Sequence, residues 1–387
     1  MTTSPSANWN YPTAVRFGAG RISELPQLCK DHGFKRPLLV TDPFLATQKM
    51  THQVLDNMKS AGLAAGMFSD IRPNPVDANI EAGLKILKAG QHDSVIAFGG
   101  GSALDAGKVI AFMAGQTRPM WDFEDIGDWW TRADPKGIAP VIAVPTTAGT
   151  GSEVGRAGVI THEATHTKKV IFHPGMMPKV TLCDPELTVG MPPKITAGTG
   201  MDALAHCLEA YCAPFYHPMA EGIAVEGMRL VKDYLLRAFE NGKDLEARAH
   251  MMSAAALGAT AFQKGLGAIH ALSHPVGALY DTHHGMTNAV FMPYVLQFNR
   301  PAIEGKINRL SAYLGLAPTF DAFLQWILEL RTALHVPHTL KDFGVDDTKF
   351  ALMAKMAPQD PTASGNSVTL DEKAALELYQ DCYQGRL

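Results

Sequence analysis

Nowhere in this chain of 387 residues do roughly 18 apolar residues run together, so the sequence offers no membrane-spanning helix. The start, Met1 to Asn10, has neither a basic stretch nor an apolar core, so no secretory leader is expected and the protein is expected in the cytoplasm. Blocks of Lys or Arg are missing, and a formal net charge of -4 leaves no basic excess of the kind that phosphate-backbone binding requires. Nucleic acid is therefore not expected as a partner, nor is a membrane. The five cysteines (Cys29, Cys183, Cys207, Cys212, Cys382) form an odd set without a CxxC pair. That argues against a disulfide framework or a thiolate zinc site, and for buried thiols. Internal repeats and low-complexity tracts are absent as well.

What remains is a chain of 46% hydrophobic and 19% charged residues, long enough for two domains that each bury a core. The first half alternates short apolar runs with helical patterns. The runs are Pro37 to Thr41, Ala65 to Phe68, Ser94 to Phe98, Val141 to Val144 and Val180 to Cys183. Between them lie stretches such as Asn79 to Lys88, whose Ile80, Leu84 and Leu87 share one helical face. Runs buried on both faces and separated by helices predict an α/β domain with a parallel sheet. From about Pro192-Pro193 the strand-like runs stop, and Ala/Leu/Met-rich segments such as Leu245 to Phe262 predict an all-helical half. The expected domains are therefore 1–191 and 192–387. Thr369-Leu-Asp-Glu372 predicts a capping box for the last helix.

Phe98-Gly-Gly-Gly-Ser-Ala-Leu-Asp-Ala-Gly-Lys108 follows an apolar run and opens a helix. Three residues without side chains let a diphosphate approach the backbone, and amides at the helix N-terminus point at the anion; the alternative is a bare tight turn. Asp42, at the end of the run Leu38 to Thr41, suits a ribose diol and would repel a 2′-phosphate, which favours NAD over NADP. It equally suits a helix N-cap before Pro43. This acidic residue precedes the glycine loop, the reverse of the usual GxGxxG order. Pro145-Thr-Thr-Ala-Gly-Thr-Gly-Ser-Glu153, again after an apolar run, offers the hydroxyls of Thr146, Thr147, Thr150 and Ser152 to a polar ligand, or forms a solvated turn.

Farther on, Asp202 and His206 stand four apart, so on a helix both project from one face and make half of a divalent-metal site. The segment Gly265 to Gly285 supplies His270, His274, His283 and His284 in an otherwise apolar setting. Any one of these histidines could be a hydrogen-bonded core residue, but the group points to a metal or catalytic site. A straight helix would hold His270 and His284 about 21 Å apart, so sharing an ion requires the chain to turn back, for which Tyr280 to His283 followed by Gly285 is suited.

With these pieces in order, the chain resembles the iron-containing (group III) alcohol dehydrogenases over nearly its whole length, from Phe17-Gly18 to the final helix. The resemblance implies an N-terminal dinucleotide-binding α/β domain, a helical C-terminal domain and a metal in the cleft between them, an architecture like that of dehydroquinate synthase. It places the metal ligands at Asp202, His206, His270 and His284, and a non-ligand histidine near the reacting carbon at His274. Cofactor contacts fall on Asp42, Asn74, Gly99, Gly100, Gly101, Ser102, Asp105, Thr146, Thr147, Thr150, Lys169 and Leu187. The implied enzyme is an NAD-dependent alcohol dehydrogenase or aldehyde reductase acting on a small primary alcohol, assembled as a homodimer or larger homo-oligomer. The implied reaction is reversible hydride transfer between the alcohol carbon and the nicotinamide, with His274 either relaying a proton or orienting. Three nitrogens and one carboxylate suit Fe(II), Zn(II), Co(II) or Mn(II), and the resemblance favours Fe(II).

Three segments depart from the family pattern: Glu153-Val-Gly-Arg-Ala157, Phe262-Gln-Lys-Gly-Leu-Gly267, and the aromatic and acidic run Met120 to Trp130. Lys264 in the second suggests a substrate with an anionic tail, such as a 4-hydroxybutyrate-like hydroxy acid; an exposed lysine is the alternative. A sugar-phosphate lyase like dehydroquinate synthase would want several Lys or Arg near the metal, where these motifs are mostly apolar. A non-catalytic nucleotide sensor would not need complete ligand sets.

Overall fold

The computed structural model describes residues 7–9 and 13–387, and the leader question at Met1 to Asn10 falls largely outside them. The chain folds into two compact units, Met1–Thr147 with Gly151–Gly190, and Ala148–Thr150 with Met191–Leu387. No helix among the described residues is long and apolar enough to cross a membrane.

Among the described residues the first unit is built on nine strands: β1 (Ala7–Trp9), β2 (Ala14–Phe17), β3 (Pro37–Val40), β4 (Gly66–Phe68), β5 (Ser94–Gly99), β6 (Val141–Pro145), β7 (Ala157–His162), β8 (Thr167–Phe172) and β9 (Val180–Cys183). Seven form one sheet in the order β1-β2-β9-β6-β5-β3-β4, parallel except for β1. Helices α1 (Leu25–Asp31), α2 (Pro43–Ala46), α3 (Lys49–Ser60), α4 (Asp77–Ala89) and α5 (Gly101–Met113) connect them. Because successive strand residues face opposite ways, the apolar runs feed two cores. Leu38, Val40, Val95, Ala97 and Val141 pack with Ile80, Leu104, Val109 and Phe112 on one side. Leu39, Ile96, Phe98, Ile142 and Val144 pack with Leu28, Val54, Leu55 and Met58 on the other. The expected parallel α/β sheet is present, with all five expected strands. The antiparallel β7–β8 hairpin was not foreseen, because its residues are only half-buried and carry no continuous apolar run.

The chain leaves β3 toward β4 on one side and β5 lies on the other, so the strand order reverses between β3 and β5. Such a switch point opens a crevice at the carboxyl ends of the strands, where ligands of open α/β sheets bind. Asp42 follows β3 and the glycine triplet closes β5, which accounts for their inverted order in the sequence.

The second unit is helical: α6 (Pro193–Cys212), α7 (Pro218–Glu240), α8 (Leu245–Ala261), α9 (Ala268–Tyr280), α10 (His284–Tyr313), α11 (Phe320–Ala333), α12 (Phe350–Met356) and α13 (Glu372–Gln384). The last helix is capped by Asp371, whose carboxylate accepts from the Ala374 amide at 2.8 Å, rather than by Thr369. The carboxylate two residues on is the stronger acceptor, and Leu370 beside it is drawn into the core. All five cysteines are free and buried.

The segment after β6 is pinned from α5. Lys108 is buried and donates to the carbonyls of Ser152 (2.9 Å), Gly155 (3.4 Å) and Ala157 (2.5 Å). One turn earlier, Asp105 accepts from the Ser152 hydroxyl and from the Val159 amide. Glu153 is enclosed beside them, and burial pushes its carboxyl up from 4.5 to about 7, against a smaller opposing pull from its own backbone and Lys108. A carboxyl whose folded value is raised contributes stability below the unfolded value and loses it as pH climbs through the folded one. Between pH 4.5 and 7 this group should therefore erode stability. Replacing it in Glu153→Gln is expected to flatten the fall in melting temperature between pH 4.5 and about 7. Calorimetric scans of both proteins with the same slope across that window would contradict the assignment.

Candidate metal centre and nucleotide loops

Three helices deliver the histidine and aspartate cluster inside the second unit. Asp202 and His206 lie on consecutive turns of α6, both buried. His270 sits in the first turn of α9, and the chain then reverses at Asp281, which caps α9 in the left-handed region at φ 51°. His283 caps α10, accepting from the Met286 amide at 3.3 Å, and His284 opens that helix. The reversal thus lies where the sequence suggested. Glycine permits the helix contact: a Cβ on Gly285 would stand 2.2 Å from the Gly198 carbonyl and 2.7 Å from Asp202 Cβ. Only a residue without a side chain lets α10 press onto α6 beside the aspartate.

Asp202 Oδ1 is the focus of the cluster. The Nε2 atoms of His206, His270 and His284 lie 3.8, 3.8 and 3.5 Å from it. One ligand atom each from Asp202, His206 and His270 falls within 4.8 Å of the others, a spacing that suits a shared ion. The donor chemistry fits a divalent transition metal: one carboxylate and two imidazoles that are buried, with the partly exposed His284 imidazole beside them. Burial pushes the His206 imidazole down to about 4, opposed by Asp202, so it is neutral and able to donate a lone pair at ordinary pH.

Two carboxylates that sequence reasoning missed hold the histidines. Glu209 Oε2 lies 2.5 Å from His270 Nδ1, and its other oxygen accepts from the Ile269 amide at 2.7 Å. Burial lowers the His270 value, but Glu209, Asp202 and Asp360 together oppose it and the net direction is up. With Nδ1 committed to Glu209, Nε2 is turned toward Asp202. The signal was available, since Asp202, His206 and Glu209 follow an i, i+4, i+7 face. Asp360 plays the matching part for His274, with Oδ2 2.7 Å from Nδ1, while its Oδ1 accepts from the Thr362 amide and hydroxyl. Burial works against ionisation of Asp360, yet His274 and Thr362 hold it below the usual carboxylate value. Asp360 is 86 residues beyond His274 with no local pattern to link them. The His274 ring stacks on His284 at 5.3 Å between centroids.

In the first unit, Asp42 is a helix N-cap: Oδ1 accepts from the Leu45 amide at 2.9 Å. Its Oδ2 meanwhile faces Gly99, 3.7 Å from where a Cβ would stand. Gly99 itself adopts φ 147°, a conformation glycine favours. Gly100 caps α5, and Gly101 and Ser102 form its first turn. The Ser102 hydroxyl donates to the Pro73 carbonyl, which ties the Pro73-Asn74-Pro75 segment to the same helix end. Thr146 is buried and its amide donates to the Gly99 carbonyl at 2.9 Å, while Thr147 lies against Gly100. Leu187 is buried in the sheet core. Asp105 is committed to Ser152 and Val159, and Lys169 pairs with Glu124 at 2.7 Å with its ammonium over the Trp121 ring. Both therefore act first on protein partners. Thr150 belongs to the second unit.

The chain matches the family description "Iron-containing alcohol dehydrogenase" over residues 12–185, and "Fe-containing alcohol dehydrogenase family, C-terminal" over residues 196–383. It belongs to the iron-containing alcohol dehydrogenase family. Within that family it is 38% identical to 4-hydroxybutyrate dehydrogenase of Cupriavidus necator, over 88% of this chain and 90% of the relative. It is 35% identical to 1,3-propanediol dehydrogenase of Citrobacter freundii, over 96% and 97%. Among solved structures, a 1,3-propanediol oxidoreductase superposes with a TM-score of 0.91 at 33% identity, covering 98% of this chain and 100% of that one. Sulfoacetaldehyde reductase from Bifidobacterium kashiwanohense, solved in complex with NAD+, superposes with a TM-score of 0.87 at 28% identity, covering 99% of both chains. Like its family, this chain is a nicotinamide-linked, metal-dependent oxidoreductase.

If Glu209 fixes the ring of a metal-ligating His270, removing its charge should loosen the ion. Glu209→Gln is expected to weaken divalent-metal affinity by about 10- to 100-fold. Competition against a chromophoric chelator measures this, and an unchanged dissociation constant would refute the role.

Proposed function

We propose that this enzyme interconverts a small primary alcohol and its aldehyde with NAD, using Asp202, His206, His270 and His284 as ligands to one divalent ion. The observation that carries the reading is the approach of three imidazole nitrogens from three helices to within 3.8 Å of a single buried carboxylate oxygen. A divalent ion held there supplies Lewis acidity toward the alcohol oxygen, and NAD supplies the hydride acceptor. Fe(II) is the favoured ion, with Zn(II) also suited to the donor set.

The chain's own residues provide the rest. Gly99, Gly100 and the first amides of α5 form the anion-facing turn for a diphosphate. The second oxygen of Asp42 is placed to accept from a ribose diol. His274, held through Nδ1 by Asp360, keeps Nε2 as the atom at which a proton is accepted or donated. Cytoplasmic placement and assembly as a homodimer or larger homo-oligomer belong to the same reading.

As to substrate, a short ω-hydroxy acid is supported by the relative named 4-hydroxybutyrate dehydrogenase. Lys264 is not the group that receives its carboxylate. The lysine side chain is fully enclosed, donating to Glu221 at 2.7 Å and to the Tyr211 carbonyl at 3.1 Å. Burial lowers its value, partly offset by Glu221, and its charge is already matched.

Chelation followed by readdition of Fe(II) or Zn(II) singly tests the reaction, with NADH formation from 4-hydroxybutyrate, 1,3-propanediol and ethanol as readout. Activity is expected to vanish and return with the ion; full activity in demetallated protein would refute the reading. Asp42→Ser separates the two tasks of that residue. Serine caps helices about as well as aspartate, so stability should hold within about 0.5 kcal/mol while discrimination against NADP relaxes. Unaltered NAD:NADP selectivity would return Asp42 to a capping role alone.

A further inference from the structure

Asn288 lies four residues beyond His284 on α10, completely buried, and no reading of the sequence singled it out. Its side-chain nitrogen is 2.8 Å from Asp202 Oδ1, 3.1 Å from His270 Nε2 and 3.3 Å from His284 Nε2. It therefore meets three of the four ligand atoms assigned above. At 2.8 Å the contact with Asp202 is shorter than the approach of any of the three imidazoles to the same oxygen, at 3.5 to 3.8 Å.

The amide has two N–H groups and three neighbours, so it cannot serve all three well. The shortest contact, to the charged oxygen, is the strongest. A carboxylate oxygen offers a second lone pair, whereas each imidazole Nε2 has one, and that one is needed for an ion. The bond to Asp202 is thus compatible with metal binding while the two longer contacts to imidazole are exchanged for it. The orientation of the amide is set from this side, because its Oδ1 is buried without a partner. A rotated amide would set two oxygens against each other at the same 2.8 Å.

We propose that Asn288 is a positioning residue of the metal centre, whose N–H fixes the Asp202 carboxylate so that Oδ1 faces the three imidazoles. This rests on the assignment of those four side chains as the metal site.

The test is the dissociation constant of Zn(II), measured by chelator competition, together with the visible spectrum of the Co(II)-loaded protein. Asn288→Ala and Asn288→Leu are expected to weaken Zn(II) binding by about 10- to 100-fold and to shift the Co(II) band positions. NADH fluorescence titration checks that the chain has folded. Variants that fold and bind Zn(II) within twofold of wild type with unshifted Co(II) bands would overturn the proposal. Should neither variant fold, a crystal structure of the Zn(II)-loaded wild-type protein decides it. The Asn288 nitrogen within hydrogen-bonding distance of Asp202 supports the role, and a nitrogen turned away from it overturns it. A wild-type protein that binds no Zn(II) at all would instead remove the metal assignment itself.

Discussion

A carboxylate withdrawn from water costs several kcal/mol unless charge and hydrogen bonds are returned to it. Asp202 is in that position, only 2% exposed in the middle of α6. Its compensation comes from His206 one turn on and from beyond its own helix: imidazoles delivered by α9 and α10, and an amide one turn into α10. Much of the helical unit follows from this requirement. α9 must end in a left-handed residue so the chain can double back, and α10 must carry a glycine in its first turn, where it meets α6. The starts of α9 and α10 and two turns in the middle of α6 converge on one oxygen.

The second carboxylates complete the arrangement. An imidazole presents a lone pair in a fixed direction only if its other nitrogen is held, and a carboxylate is the most effective holder. Glu209 does this for His270 and Asp360 for His274, from an adjacent turn of α6 and from a distant loop. Burial, with the nearby His270, keeps His206 neutral. The orientations of His270 and His274 are therefore set by the protein before any ligand arrives, which is the condition for a site that works without reorganisation.

Much of this was legible in the sequence. The five apolar runs became the core strands because strands buried on both faces leave an unbroken hydrophobic signature, and the histidine-rich segment announced itself by density. The reversal between His270 and His284 followed from arithmetic on helix rise. Less legible were features that depend on spatial partners. Glu209 stood on the same helical face as Asp202 and His206, but a lone glutamate in an apolar helix carries no distinctive pattern. Asp360 and Asn288 gain meaning only once α9, α10 and the segment before α13 are brought together. Lys264 shows the converse: its residue type suggested a binding cation, yet the fold had already spent that charge on Glu221. The β7–β8 hairpin escaped notice because half-exposed strands with mixed residues read like loops.

In the first unit, Gly101, the last of the glycine triplet, opens the helix that carries Lys108, about 10 Å away along its axis. The amides at the helix start, proposed above for a diphosphate, and the ammonium that grips the carbonyls of residues 152, 155 and 157 thus sit on a single stiff rod. Any tilt of α5 on seating a cofactor would be transmitted to the far segment as a lever stroke, without a chain of intermediate side-chain rearrangements.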